Sequence, residues 1–234
     1  MPNKEKIRSM FDSIASGYDA FNHLASMNID RSWRKRAIRE VAAINPAAVL
    51  DVACGTGDST IALARALPEE CMITGVDISQ QMLAVMTKKV DSEGLGNRIS
   101  VETGDAEALR FPEGSFDAVT CDFGVRNFEN LEMGLREMLR VLRPGGKLVI
   151  LELSMPSNRF VRKMYELYFL HFLPLLGKKI SGNAQAFRYL PASVVNFPGK
   201  EEFTAILHRC GCKEVTHRAL SFGLARLYTA TYSE

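Results

Sequence analysis

The segment VLDVACGTGDST, residues 49–60, restricts the fold more than any other. An apolar run of strand composition, residues 49–54, passes directly into Gly55-Thr56-Gly57. A helical pattern opens at Asp58 and runs to Leu67, where Pro68 stops it. Glycine reaches backbone conformations that other residues avoid, and its missing Cβ lets the main chain approach a ligand closely. In open α/β sheets such a turn lies outside the carboxyl end of a strand, where ligands bind. The rhythm repeats downstream. Residues 72–76, 98–103, 116–121 and 147–153 read as strands. Residues 79–90 read as a helix capped by Ser79, and residues 131–142 as a helix ended by Arg143-Pro144-Gly145-Gly146. Strands alternating with helices predict an α/β fold with a largely parallel sheet. The mostly apolar strand at 147–153 is expected near its centre. Residues 200–209 read as another helix, and residues 214–218 and 225–231 as two closing strands, seven strands in all.

A glycine turn of this kind serves either a dinucleotide or S-adenosyl-L-methionine (SAM). The dinucleotide fingerprint requires a third glycine where this chain has Thr60, so that pattern fails. Asp51 puts a carboxylate inside the first strand, just before Gly55, where it can receive an ammonium group and would repel a pyrophosphate. Asp77 closes the second strand, about 20 residues beyond the glycines, in position to accept hydrogen bonds from ribose hydroxyls. Asp105-Ala106 follows the third strand. Its carboxylate suits the exocyclic amine of adenine, although alone it reads equally well as a loop-capping aspartate. Together these residues sit at successive strand ends of one sheet, which favours SAM.

Composition excludes several alternatives. The 234 residues are 47% hydrophobic and 24% charged, as in a globular chain. The longest apolar candidate for a membrane span, residues 169–176, is interrupted by His171 and Pro174 and falls short of about 20 residues. Twenty-nine basic residues against 27 acidic ones give no electrostatic reason to expect nucleic acid. The charged opening MPNKEKIRSMFDS lacks the apolar run of a secretory signal, so a cytoplasmic chain is expected. Five cysteines show no zinc-binding spacing: Cys210 and Cys212 form a lone pair, and His208 and His217 do not complete a ligand pattern. No metal is expected, and the thiols are expected to be buried in a reducing compartment.

The chain resembles the ubiquinone/menaquinone-biosynthesis C-methyltransferase family of the class I SAM-dependent methyltransferases. The resemblance spans nearly the full length and rests on MFDSIASGYDAFNHLASMNIDRSWR, VLDVACGTGD, GVDISQQML, GDAEALRFP, FGVRNFEN, LRVLRPGGKLVILELS and FRYLPASV. It implies a Rossmann-like, mostly parallel seven-stranded sheet with helices on both faces. It also implies a helical cap over residues 1–45 and a SAM-binding domain over 46–234, with a helical insertion near 157–198. By resemblance, Thr56, Asp77, Asp105 and Ala106 contact SAM, with Asp51 and Gly55 beside them. Many members carry serine where this chain has Asp122, so a serine contact cannot be carried over there.

The implied reaction is methylation of a ring carbon on a prenylated quinol. Arg126 and Asn127, just past the fourth strand, would stabilise phenolate charge and orient a hydroxyl or water. Their plainer reading is an ion pair and a helix cap. Tyr18 would pack on the ring, with Asp19 a candidate base; the plainer reading is a helix packed on the core. His23 and His171 are further candidate bases. The aromatic stretch 158–176 is either a core helix or the wall of a channel for a prenyl tail. Its neighbours Arg159, Arg162, Lys163, Lys178 and Lys179 suit contact with an anionic membrane surface. The expected reaction converts demethylmenaquinol to menaquinol. The alternatives are the 2-methoxy-6-polyprenyl-1,4-benzoquinol of ubiquinone biosynthesis and a SAM-binding protein without turnover. A homodimer is left open.

Overall fold

The computed structural model describes residues 3–168 and 184–232. Strands β1 (Ala48–Val52), β2 (Met72–Asp77), β3 (Ile99–Thr103), β4 (Phe116–Asp122) and β5 (Leu142–Leu153) pair in parallel. With β6 (Cys212–Leu220) and β7 (Ala225–Tyr232) they form one seven-stranded sheet in the order β3-β2-β1-β4-β5-β7-β6. β7 alone runs against its neighbours. The helices are α1 (Lys4–Ile14), α2 (Tyr18–Ala25), α3 (Ile29–Ala42), α4 (Asp58–Ala66), α5 (Gln80–Ser92), α6 (Leu131–Arg140), α7 (Arg159–Leu167), α8 (Ala184–Asn196) and α9 (Lys200–Cys210).

Successive strand side chains point to opposite faces, so an apolar strand feeds two cores. Leu50 and Val52 of β1, Val119 and Cys121 of β4, and Leu148 and Ile150 of β5 enter one, covered by α6 and α9 through Leu135, Met138, Phe203 and Leu207. Val49, Ala118, Val149 and Leu151 enter the other, covered by α3, α4 and α5 through Trp33, Val41, Leu63 and Met86. Within residues 1–45 the structure draws a division. α3 belongs to this second core, whereas α1 packs on α5 beside the carboxyl ends of the strands. The region 157–198 holds α7 and α8.

Two expected boundaries are corrected. Helix α6 ends at Arg140, and Arg143-Pro144-Gly145-Gly146 is no helix stop but a bend inside β5, which starts at Leu142. Gly145 takes a φ of 77°, and the ladder to β4 shifts from Phe116↔Leu142 to Ala118↔Lys147. A Cβ on Gly146 would stand 2.9 Å from the Asp117 carbonyl oxygen, so this bend needs glycine for close approach as well as for φ.

Candidate active site

The strand order reverses between β1 and β4, and the glycine turn projects beyond the sheet at that point. Cys54 N–H donates to the Val76 carbonyl at 3.1 Å, which extends the ladder into the turn. Gly57 then adopts a φ of 84° and packs so closely on α5 that a Cβ would lie 2.5 Å from Met86 Cγ. Asp77 ties the two halves together. Its Oδ2 accepts from Gly55 N–H at 2.9 Å, and its Oδ1 accepts from Ser79 N–H at 2.8 Å at the head of α5. Burial raises the pKa of this carboxyl, and the N–H donors oppose the rise.

A cavity opens against this turn. Gly55, Asp77, Asp105 and Ala106 lie on its wall, with Asn127 opposite and Lys4, Phe11 and Tyr18 closing it from the N-terminal helices. Thr56 and Asp51 stand behind the wall, both almost fully buried. The Thr56 hydroxyl donates to Asp19, which also receives Lys89 Nζ at 3.0 Å. Asp105 accepts Lys4 Nζ at 2.6 Å and Glu107 N–H at 2.9 Å, so its loop-capping role and an ion pair to α1 coexist.

Asp51 Oδ2 accepts the Thr60 hydroxyl at 2.6 Å, which gives the residue that breaks the dinucleotide fingerprint a function of its own. Asp51 Oδ1 is buried with no hydrogen-bond partner among the described residues, and so is Oδ1 of Asp122 on the cavity wall. Burial, then the neighbouring Asp122 charge, push Asp51 up to about 7. Two buried carboxylates with unfilled acceptors suit a ligand that brings positive charge, as SAM does, and oppose a pyrophosphate.

A second cavity, about 290 Å³ and mainly apolar, shares Tyr18 and Phe123 with the first. Trp33 of α3, Val161 and Tyr165 of α7 and Leu190 of α8 contribute to its walls, and Asp30, Arg34 and Arg126 supply charge. Tyr18 is partly buried, and desolvation raises its pKa; Arg126, then the Asn22 side chain and Arg34, act against that rise.

Arg126 sits in a 3₁₀ turn, Val125–Asn127, after β4. Its Nη1 donates to Glu152 Oε1 at 2.7 Å and to the Phe123 carbonyl, its Nε to Ser193 Oγ at 3.3 Å and its N–H to Glu152 Oε2 at 3.2 Å. The ion-pair reading of Arg126 therefore holds, and the same side chain still reaches the cavity wall. The cap reading of Asn127 does not, because Asn130 caps α6 by accepting from Met133 N–H at 3.1 Å. Asn127 Oδ1 instead accepts the Tyr189 hydroxyl at 2.9 Å.

Asp19 lines neither cavity, its carboxylate being engaged by Thr56 and Lys89. His23 lies between two carboxylates, Nδ1 3.1 Å from Asp30 Oδ2 and Nε2 3.3 Å from Asp58 Oδ2. His171, Lys178 and Lys179 lie outside the described residues. In its described part the aromatic stretch is not a core helix, since no residue of α7 is fully buried. Sequence reasoning missed Asp30, Arg34 and Glu152. The signal for Glu152 was there: a carboxylate inside the apolar strand LVILEL is costly unless paired.

Five parallel strands, a reversed seventh strand between β5 and β6 and a glycine turn at the switch point define a class I SAM-dependent methyltransferase. The model of the ubiE/COQ5 methyltransferase family matches residues 1–232, and the chain belongs to that family. It is 44% identical to a ubiquinone/menaquinone biosynthesis C-methyltransferase of Geobacter sulfurreducens, over 96% of this chain and 88% of that one. It is 43% identical to a demethylmenaquinone methyltransferase of Porphyromonas gingivalis, over 97% of this chain and 93% of that one. Among solved structures, the [4+2]-cyclase SpnF superposes with a TM-score of 0.75 at 18% identity, covering 99% of this chain and 97% of that one, a likeness of fold alone. The chain is a C-methyltransferase, and S-adenosyl-L-methionine is its methyl donor.

Proposed function

We propose that the chain methylates a ring carbon of demethylmenaquinol to give menaquinol. The observation that carries this reading is the apolar, aromatic-walled cavity that meets the donor cavity at Tyr18 and Phe123. The names of the relatives point the same way, and that of the Geobacter sulfurreducens protein covers the ubiquinone precursor as a second substrate.

SAM supplies an electrophilic methyl group on a sulfonium. Asp77 accepts the ribose hydroxyls with the lone pairs its N–H partners leave free. Gly55, Asp105 and Ala106 shape the adenosine end, and Asp105 exchanges Lys4 for the adenine amine. Asp51 supplies negative charge from behind the wall, and Thr56 holds α2 to the glycine turn through Asp19. Tyr18 packs against the ring between the two cavities. Arg126, fixed by Glu152, adds positive charge to the wall of the ring cavity, and Asn127 orients a hydroxyl or water.

The protein works in the cytoplasm at a membrane face. Its five unpaired, buried cysteines fit a reducing compartment. No helix among the described residues is long and apolar enough to cross a membrane, so a prenylated substrate is met from the side. Incubation with isotope-labelled SAM and each quinol, held reduced, followed by mass spectrometry tests the reading. One labelled methyl on the demethylmenaquinol ring is expected; transfer to neither quinol refutes it.

A further inference from the structure

Carbon methylation of a quinol needs a base, and among the described residues the wall of the apolar cavity offers one carboxylate. Asp30, at the head of α3, is 4% exposed. Its Oδ1 accepts the Ser26 hydroxyl at 2.5 Å, and its Oδ2 lies 3.1 Å from His23 Nδ1 and 3.7 Å from Arg34 Nε. His23 Nε2 continues to Asp58 Oδ2 at 3.3 Å, and Asp58 pairs with Lys89 at the part-exposed rim. A row of proton-carrying groups thus runs from the cavity wall outward.

Arg34 stands beside Asp30 on the same wall. Its Nη1 donates to Ser59 Oγ at 2.5 Å, and its guanidinium carbon lies 5.0 Å over the Phe123 ring, a residue of both cavities. Its Nε is buried and has no hydrogen-bond partner among the described residues. The other cation on the wall, Arg126, has donors committed to Glu152, Phe123 and Ser193. An unfilled donor next to a carboxylate, in a mainly apolar cavity, is matched by a hydroxyl that must lose its proton while its oxygen is held.

We propose that Asp30, Arg34 and His23 form the site of the reacting quinol hydroxyl: Arg34 Nε holds the oxygen, Asp30 takes the proton and His23 passes it outward. The inference rests on the quinol reading above. The O–H bond breaks and its proton moves to an Asp30 carboxylate oxygen. The electron pair left on oxygen delocalises to the ortho carbon, which bonds to the methyl as the carbon–sulfur bond breaks, and that pair stays on sulfur as a neutral thioether. Asp30 passes that first proton to His23; the dienone so formed then loses its ring proton to Asp30, the C–H pair restores aromaticity, and Asp30 returns this proton to the oxygen. One proton is released in net, through His23.

The test compares wild type and Asp30→Asn, anaerobically, on demethylmenaquinol and on an analogue halogenated on its second ring, whose hydroxyl is more acidic. Asp30→Asn should lower kcat roughly 10²-fold on the ordinary quinol, the usual lower range for general-base catalysis. Relative to wild type, the acidic quinol should recover about tenfold of that loss, because less proton transfer is asked of the protein. S-adenosyl-L-homocysteine binding, read by calorimetry, should not change. An equal loss on both quinols, a near-wild-type kcat, or a loss traced to weaker S-adenosyl-L-homocysteine binding overturns the proposal. If Asp30→Asn does not fold, His23→Gln, which keeps the Asp30 carboxylate, carries the same comparison with a smaller loss and the same recovery. A wild-type protein that methylates neither quinol overturns the substrate reading instead.

Discussion

Asp51 is a carboxyl held far from its ordinary state by burial. Burial, then Asp122, hold its pKa at about 7, against about 4 in an unfolded chain. A carboxyl with a raised folded pKa binds its proton more tightly when folded. Its contribution is complete below about pH 4 and is lost as pH rises toward 7. Asp77 and Asp122 are shifted in the same direction by burial and add to the slope. Asp51→Asn removes one share of it. Between pH 4 and 7 the melting temperature of the variant should therefore gain on that of the wild type, as calorimetry without ligand would show. Parallel curves would mean that Asp51 stays ionised in the fold. Arg126 calls for a different experiment. Its Glu152 pair is buried on both sides, so Arg126→Ala leaves a lone buried carboxylate and should cost about 3–5 kcal/mol of stability. Where the variant remains folded, turnover should fall roughly 10²–10³-fold with little change in SAM affinity. A turnover loss that follows the unfolded fraction alone would reduce Arg126 to a structural residue.

At the scale of elements, the glycine turn separates packing from ligand approach. Gly57→Ala puts a Cβ into Met86 at positive φ and should cost about 2–4 kcal/mol. Gly55 also has a positive φ, but a Cβ there meets nothing within 4 Å, in space that belongs to the donor cavity. Gly55→Ala should cost about 1 kcal/mol of stability and weaken SAM more than Gly57→Ala does per unit of stability lost. Thermal melts and calorimetry on both variants decide it, and equal effects on SAM would remove Gly55 from the wall. This turn was legible in the sequence because period, glycine spacing and strand ends all reported one local geometry. So were the strands, whose apolar runs serve both cores. The bend in β5 was not, because Pro144-Gly145-Gly146 carries the marks of a helix stop and only the ladder to β4 reveals a strand passing through it. Asp30 and Arg34 escaped notice for a related reason. On α3 they read as solvated charges, and only the packing of α3 against the sheet, with α7 and α8 alongside, turns that face into a cavity wall.

For the whole molecule the question is where a prenyl tail goes. A cavity of about 290 Å³ lies at the small end of pockets that enclose a ligand, roughly 300–1,000 Å³, so under the proposed reading it would take the ring system and leave the tail outside. Its mouth is marked by two lining residues that also reach solvent, Met27 at 70% exposure and Met164 at 53%. Beside them α7 divides by helical period. Val161 and Tyr165, with Tyr168 just past the helix, face the cavity; Phe160 and Leu167 continue the exposed apolar surface of Met164 as a stripe flanked by Arg159, Arg162 and Lys163. Under the proposed reading, this exposed apolar rim with basic flanks would rest on an anionic bilayer where a prenylated quinol enters. Residues 169–176 of the aromatic stretch lie outside those described, so the test falls on Phe160. Phe160→Glu should weaken binding to vesicles containing anionic lipid and raise the apparent KM for long-tailed demethylmenaquinol severalfold. A short-tailed analogue, which needs no bilayer, should keep its KM, and the melting temperature should hold because Phe160 is 74% exposed. Equal KM changes for both tail lengths would show that α7 acts on the ring cavity rather than on the membrane. Unchanged vesicle binding, with KM unchanged for either quinol, would leave the stripe without a role in substrate capture.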